Sequence, residues 1–197
     1  MASRSSSSSI TAAARELFAE HGVDDVTNQQ IADHADIGAG TLFLYAKTKG
    51  ELLLLLHNAG YADALVRGTA AADAIPDVLE GALAIVRPVV ECNRAQIDNG
   101  RTYLREIVFG DPQEPHHRDA LALTVQTELA IADVLKLDAR NTPTTAATLA
   151  HVVSAIMFLT MAATFNIGRT VDDLLGEIRS QVLVLLPAEL PGRVFRP

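Results

Sequence analysis

The stretch VTNQQIADHADIGAGTLFLYAKTKGELL, Val26 to Leu53, contains two helix starts and one tight turn. Thr27 and Gln30 have capping-box spacing, in which each side chain satisfies the other residue's backbone donor. Val26 and Ile31 occupy the two staple positions around the same start, so a helix is predicted from Thr27 to about Ala35. Asp36 tolerates left-handed geometry, and Gly38 and Gly40 follow closely, so the chain turns there. A second short helix takes in Thr41, Leu42, Phe43 and Leu44. Thr48 and Glu51 then repeat the capping-box spacing and open a longer helix near Lys49.

Upstream, Ile10, Ala13, Ala14, Leu17 and Phe18 form one apolar helical stripe, closed where Gly22 can supply a left-handed residue. The serine tract Ser5 to Ser9 before it is read as a flexible arm whose last serine caps that helix. Two short helices joined by a tight turn and braced by a preceding amphipathic helix outline a helix-turn-helix unit. Downstream, helices are predicted at about Ile75 to Cys92, Arg101 to Phe109, His116 to Lys136, Thr144 to Asn166 and Val171 to Leu186. The breaks fall at Pro76, Asp98-Asn99-Gly100, Gly110-Asp111-Pro112, Asn141-Thr142-Pro143 and Gly168, with a kink at Pro88 and a loose end after Pro187. No run alternates with period two over a strand's length, so the chain is predicted to be all-α with about nine helices.

The 197 residues are 49% hydrophobic and 20% charged, which argues against disorder and for more buried apolar surface than one small core needs. A dimer interface or an apolar pocket would use the excess. A single cysteine, Cys92, forms no intrachain disulfide, and its apolar helix favours an inert core role over redox sensing. The first ten residues lack the apolar run of a secretory signal, so a cytoplasmic protein is expected. The longest apolar stretch, Val152 to Phe165, is interrupted by Ser154, Thr160 and Thr164 and is read as a buried helix, with no membrane partner expected. The net charge of −8 gives no global basic footprint, so any nucleic-acid binding must come from local geometry.

From Ile10 to Leu53 the chain reads ITAAARELFAEHGVDDVTNQQIADHADIGAGTLFLYAKTKGELL. The AxxLFxxxG first helix, the VT-to-IA second helix, the GTLF recognition helix and the K-x-K-x-E-L exit follow one another in order. This closely resembles the N-terminal domain of the TetR family of bacterial transcriptional regulators. The resemblance implies a helix-turn-helix DNA-binding domain over residues 1–50 and a helical effector-binding and dimerisation domain over residues 51–197. It further implies a homodimer on a near-palindromic double-stranded operator, released when a small molecule binds. Two departures stand out: Asp36 where the family often has glycine, and Ala46 where it often has an aromatic.

Thr27, Asn28 and Gln29 lie at the start of the second helix, where backbone amides and the macrodipole suit a phosphate. Gly38, Ala39 and Gly40 are small enough to let the backbone approach a groove edge, with Thr41 reaching phosphate or base. Leu42 is the expected core anchor of the recognition helix; Phe43, Leu44 and Tyr45 continue around it and cannot all face inward. Phe43 or Leu44 would touch thymine methyls, although core packing suits Phe43 equally, and Tyr45 would donate to phosphate. Lys47 and Lys49 are two of only three lysines, and Lys49 opposes the macrodipole of its helix, so both are assigned to phosphates rather than to idle surface. Arg4 and Arg15 are weaker candidates. Through Gly50 four basic residues face six acidic ones, which predicts weak non-specific binding and a modest salt dependence.

Val171, Leu174, Leu175, Ile178, Val182 and Leu185 form a stripe on the final helix, expected to pair with its symmetry mate and the preceding helix in a four-helix bundle. Intrachain core is the competing assignment. The middle helices are expected to enclose an apolar effector pocket, with Tyr103, Phe109, Met157, Phe158, Met161, Phe165 and Asn166 as lining and Arg101, Arg105, His117 and His151 as polar partners. His116 and His117 are adjacent and have no i,i+4 histidine mate, so no metal site is expected. No nucleophile motif, P-loop or dinucleotide fingerprint is present, so neither catalysis nor a cofactor is expected. The expected function is a ligand-responsive repressor; the alternatives are a small-molecule sequestering protein with weakened DNA binding, or an activator.

Overall fold

The computed structural model describes residues 2–186, with side chains from residue 8 onward. The expected loose end after Pro187 and the side chain of Arg4 therefore lie outside the described residues. Among the described residues the chain is all-helical: α1 Ala2–His21, α2 Asn28–His34, α3 Ala39–Leu42, α4 Lys49–Ala72, α5 Val78–Arg94, α6 Ile97–Phe109, α7 Pro115–Leu135, α8 Pro143–Ala162 and α9 Val171–Leu185. A short 3-10 turn, Thr164–Asn166, separates α8 from α9.

Helix α1 runs through the serine tract, so the flexible arm expected there is helix instead. Its stripe packs as predicted, with Ile10, Ala14 and Phe18 almost fully buried. Full burial of a phenylalanine of this kind contributes about 1.5–3 kcal/mol. Gly22 adopts φ +78° and its N–H donates to Phe18 O at 3.1 Å, ending α1 with the left-handed residue that the sequence called for. The stapling pair Val26 and Ile31 is fully buried.

Helix α4 starts in the first three-helix unit and runs on through the body, crossing the 50/51 boundary drawn from the sequence. The buried apolar cluster is correspondingly continuous from Ile10 to Val182. Helices α4 and α5 approach closely at Gly68: a Cβ there would lie 2.8 Å from Ile85 Cα and O, too close for any other residue without separating the helices. Helix α5 continues through Pro88.

Two boundaries differ from expectation. Asp98-Asn99-Gly100, expected to break the chain, forms the first turn of α6, because Gln96 caps the helix by accepting from Asn99 N at 2.7 Å. Helix α8 ends at Ala162 rather than Asn166; Ala163 is extended, and Asn166, fully buried, folds back to donate from Nδ2 to Thr160 O at 2.9 Å. By length and composition α8 is the one helix among the described residues apolar enough to cross a membrane. It is packed against α5, α6, α7 and α9, and Ala146, Ala150, Val153, Met157 and Met161 face inward, as in a core helix.

The stripe assigned to the dimer is corrected. Leu174, Leu175, Ile178 and Val182 are buried within the protomer, where α9 packs on α5 and α8, and Val171 is half-buried beside them. Of that set only Leu185 stays exposed, and the uncovered apolar positions nearby are its neighbours Leu183 and Val184, with Leu159 on α8. The competing assignment, intrachain core, wins because one face of a 15-residue helix cannot serve both surfaces.

Candidate nucleic-acid interface and ligand cavity

Local capping builds the reading head. Thr27 Oγ1 accepts from Gln30 N at 3.2 Å while Gln30 Oε1 accepts from Thr27 N at 2.7 Å, completing the capping box predicted from the sequence. The cap consumes the Gln30 amide and leaves Asn28 and Gln29 at the start of α2; the exposed Gln29 side chain bonds Asp33. Asp36 sits at φ 52°, so the turn takes its left-handed residue from an aspartate where glycine would cost less.

Helix α3 is one turn, Ala39–Leu42, extended by turn bonds from Tyr45 N and Ala46 N to Leu42 O. Leu42 is the buried anchor, and Ala46 is also buried, so the helix corner closes without an aromatic. Phe43 is 49% exposed and Leu44 84%, which decides against the core role for Phe43. A Cβ on Gly38 or Gly40 would meet only open space, and Thr41 and Tyr45 are half-buried between. The open face of α3 therefore offers small backbone-exposing residues beside two apolar side chains.

The lysines are engaged within the protein. Lys47 Nζ pairs with Glu114 at the start of α7, and Lys49 Nζ donates to Asp24 O at 2.9 Å. The hydrogen bond and charge of Glu114 hold the Lys47 pKa above its ordinary value. Thr48 caps α4 by accepting from Glu51 N at 3.0 Å, but the reciprocal carboxylate bond goes to Lys47 N at 2.8 Å instead of Thr48, so the second capping box is only half formed. Burial raises Glu51, which shares a hydrogen bond with Glu114, while that bond and Lys47 lower Glu114. A carboxyl pair and one cation thus join the exit of the reading head to α7. Arg15 is exposed on α1.

A residue overlooked in the sequence clamps the two parts more firmly. Asn99, 2% exposed on α6, accepts from Val23 N at 2.8 Å and donates from Nδ2 to Phe18 O at 2.8 Å. The signal for it, an Asx residue inside a break-like Asp-Asn-Gly triplet, points equally to a turn.

Between α4, α5, α6, α7 and α8 lies a small cavity of about 50 Å³. Of the residues expected there, Tyr103, Met157, Phe158 and Met161 line it. Tyr61 of α4 was missed; its ring stacks on Tyr103 at 4.2 Å between centroids and 7° between planes. Asn93 Nδ2 donates to Tyr61 Oη at 2.7 Å and to Gly100 O at 3.0 Å, and Tyr103 Oη donates to Asn58 Oδ1 at 2.9 Å. Burial raises both phenols, so they stay protonated. The polar pattern His57-Asn58 followed by Tyr61 within the leucine-rich α4 was the available signal.

The other expected pocket residues are corrected. Asn166 is a buried helix-end cap, and Phe165 is 77% exposed on the 3-10 turn. His151 is exposed and pairs with Glu128 at 3.0 Å. His117 is buried but bonds Ile107 O at 3.1 Å, beside the Lys47–Glu114 junction rather than in the cavity. Arg101, Arg105 and Phe109 line a separate groove, where Arg101 Nε donates to Ala162 O at 3.2 Å and Arg105 lies 3.6 Å from Asp24. Arg101, Arg105 and His151 were missed because long polar side chains on a helix reach solvent more readily than an apolar cavity, whereas Asn166 and His117 are buried on backbone carbonyls elsewhere. Burial pushes the half-buried Cys92 thiol up, away from thiolate chemistry.

Residues 10–56 match the family model described as bacterial regulatory proteins, tetR family. No curated protein matches the chain. Among solved structures, it is similar to FadR of Thermus thermophilus, a TetR-family transcriptional repressor solved with lauroyl-CoA, at 22% identity and TM-score 0.71, covering 94% of this chain and 97% of that one. A TetR transcriptional regulator from Rhodococcus sp. RHA1 gives 16% identity and TM-score 0.68 over 94% and 98%. The fatty acid degradation regulator FadR of Bacillus halodurans gives 14% and 0.62 over 91% and 99%. At these identities the structures share a fold, and the family rests on the N-terminal match. Residues 10–56 thus form a helix-turn-helix domain that matches the tetR family of bacterial regulatory proteins, carried on a body that shares its all-helical fold with these structures.

Proposed function

We propose that this regulator is a repressor that binds a near-palindromic operator as a homodimer and is released by a small apolar or amphiphilic effector. The supporting observation is that one helix serves both ends: α4 begins at Lys49 beside the reading head and carries Tyr61 into the cavity wall. An effector entering a cavity of about 50 Å³ must push its walls apart, since known small-molecule pockets hold about 300–1,000 Å³. Movement of α4, transmitted also through α6 by Asn99, would shift two recognition helices that must match major grooves about 34–36 Å apart.

On the DNA, Thr27, Asn28 and Gln29 position the helix pair, Lys47 and Lys49 meet phosphates, and Gly38, Ala39, Gly40, Thr41, Phe43, Leu44 and Tyr45 read the groove, partly through apolar contacts. The dimer forms through the outer faces of α8 and α9, covering Leu159, Leu183 and Val184. The similar Thermus structure, solved with lauroyl-CoA, makes twelve-carbon acyl compounds the first effectors to test. Addition of lauroyl-CoA or dodecanoate to a protein–operator complex should release the DNA, and failure of every acyl and apolar ligand to do so would remove the effector reading. The engagement of both lysines within the protein favours one rival, a sequestering protein with weakened DNA binding; ligand binding without salt-sensitive DNA binding would select it.

A further inference from the structure

The small cavity and the groove on α6 and α8 have two residues in common, Leu104 and Phe158. Leu104 is buried and Phe158 half-buried, so these two side chains are the partition between the spaces. The two compartments differ sharply in chemistry. Among the described residues the inner lining carries no charged side chain, and the hydroxyls of Thr124 and Thr127 are spent on Ala120 O and Leu123 O within α7. The outer groove, about 480 Å³, carries Arg101 and Arg105 with His21, Asp24, Asp25 and Asp98, and beside them the exposed apolar side chains of Val108 and Phe109.

The inner wall is also built to move. The chain has three methionines, and the two beyond Met1, Met157 and Met161, both face this cavity. Methionine is unbranched and re-packs at little cost, so a wall made from it can open for a flexible chain. Ser154, Met157, Phe158 and Met161 follow one another along α8 toward Ala162, which lines the groove, so one face of this helix runs from the cavity to the groove.

We propose that groove and cavity are one site for a single-chain amphiphile, with Phe158 and Leu104 as the gate: the aliphatic tail enters between the methionines and the polar head stays outside among Arg101, Arg105 and the nearby aspartates. This rests on the effector reading above and adds to it the route, the gate and the orientation of the ligand. A head of either sign or none finds partners in the mixed groove, so specificity for the tail resides inside and for the head outside.

The chain contains no tryptophan, so Phe158→Trp and Phe109→Trp each create a sole tryptophan, excited selectively over the three tyrosines, at the gate and in the groove. Dodecanoate brominated at its far methyl end should quench the reporter at 158 more than that at 109, and dodecanoate brominated beside the carboxylate should do the reverse. Equal or inverted quenching in ligands that bind overturns the orientation while leaving the effector reading standing; no binding of any of them, by thermal shift, overturns both. A second variant, Phe158→Ala, should speed association of dodecanol by at least about threefold if the side chain gates entry; an unchanged rate removes the gate. Dodecanoate, dodecanol and lauroyl-CoA share the tail and differ in the head, so the tightest binder identifies the source, and a quenching order that inverts with the head contradicts a common orientation.

Discussion

Replacing Asn99 with alanine removes the two hydrogen bonds by which its side chain holds Phe18 O of α1 and Val23 N just beyond it. Phe18 O keeps other partners, Gly22 N at 3.1 Å and Gln96 Nε2 at 3.4 Å, whereas Val23 N loses the acceptor that Asn99 provides. A buried donor left unsatisfied costs about 1–3 kcal/mol. For a chain of this size, a loss of about 2 kcal/mol lowers Tm by about 4–8 °C. Asn99→Asp sharpens the test, because aspartate still accepts from Val23 N but turns a carboxylate oxygen toward Phe18 O, and so should destabilise more than alanine. Circular-dichroism melts at matched protein concentration give the stabilities, and fluorescence anisotropy on a bound DNA site gives the affinity, which should fall as the reading head loosens. An alanine variant within about 0.5 kcal/mol of the parent, inside the range of ordinary surface changes, would refute the clamp. So would an aspartate variant as stable as the parent.

Lys49→Ala should weaken all DNA sequences similarly and flatten the salt dependence by about one phosphate's worth, whereas Thr41→Ala should change sequence preference in a selection experiment. Glu114→Gln removes the charge that holds Lys47 and should raise DNA affinity with a steeper salt slope; an unchanged slope would show that Lys47 meets no phosphate. His57 is held below its ordinary value of 6.5 by burial and by Arg15, with the Tyr103 ring 6.1 Å away. The unfolded chain therefore takes up this proton first as pH falls, so the contribution is present above about pH 6.5 and lost below it. Melts of His57→Gln from pH 8 to 5 should show a shallower decline than the parent, and parallel profiles would exclude His57 as a source.

Local chemistry made the reading head legible. The Thr27–Gln30 box, the Val26–Ile31 staple, Gly22 and Asp36 all act over a few residues, and the structure places each as the spacing implied. Long-range partners were not legible in the same way. A leucine stripe on α9 reads identically whether it packs on its own chain or on a second one, and here Leu174, Ile178 and Val182 pack on their own. Asn99 looked like part of a turn because its partners, Phe18 and Val23, lie more than seventy residues away. The cavity was half legible: the methionines and Tyr103 were in the expected set, but Tyr61 was not, because a tyrosine within the leucine-rich α4 reads as ordinary core and its partners Asn93 and Tyr103 lie on other helices.

Selection of bound fragments from the source genome by the purified protein at low salt, followed by footprinting with and without a candidate effector, tests operator binding, dimeric geometry and effector release together. One near-palindrome should be enriched and protected in two half-sites about 34–36 Å apart, with protection lost on addition of an acyl or apolar ligand that binds the cavity. Dimeric, ligand-binding protein that enriches no site would contradict the proposed function.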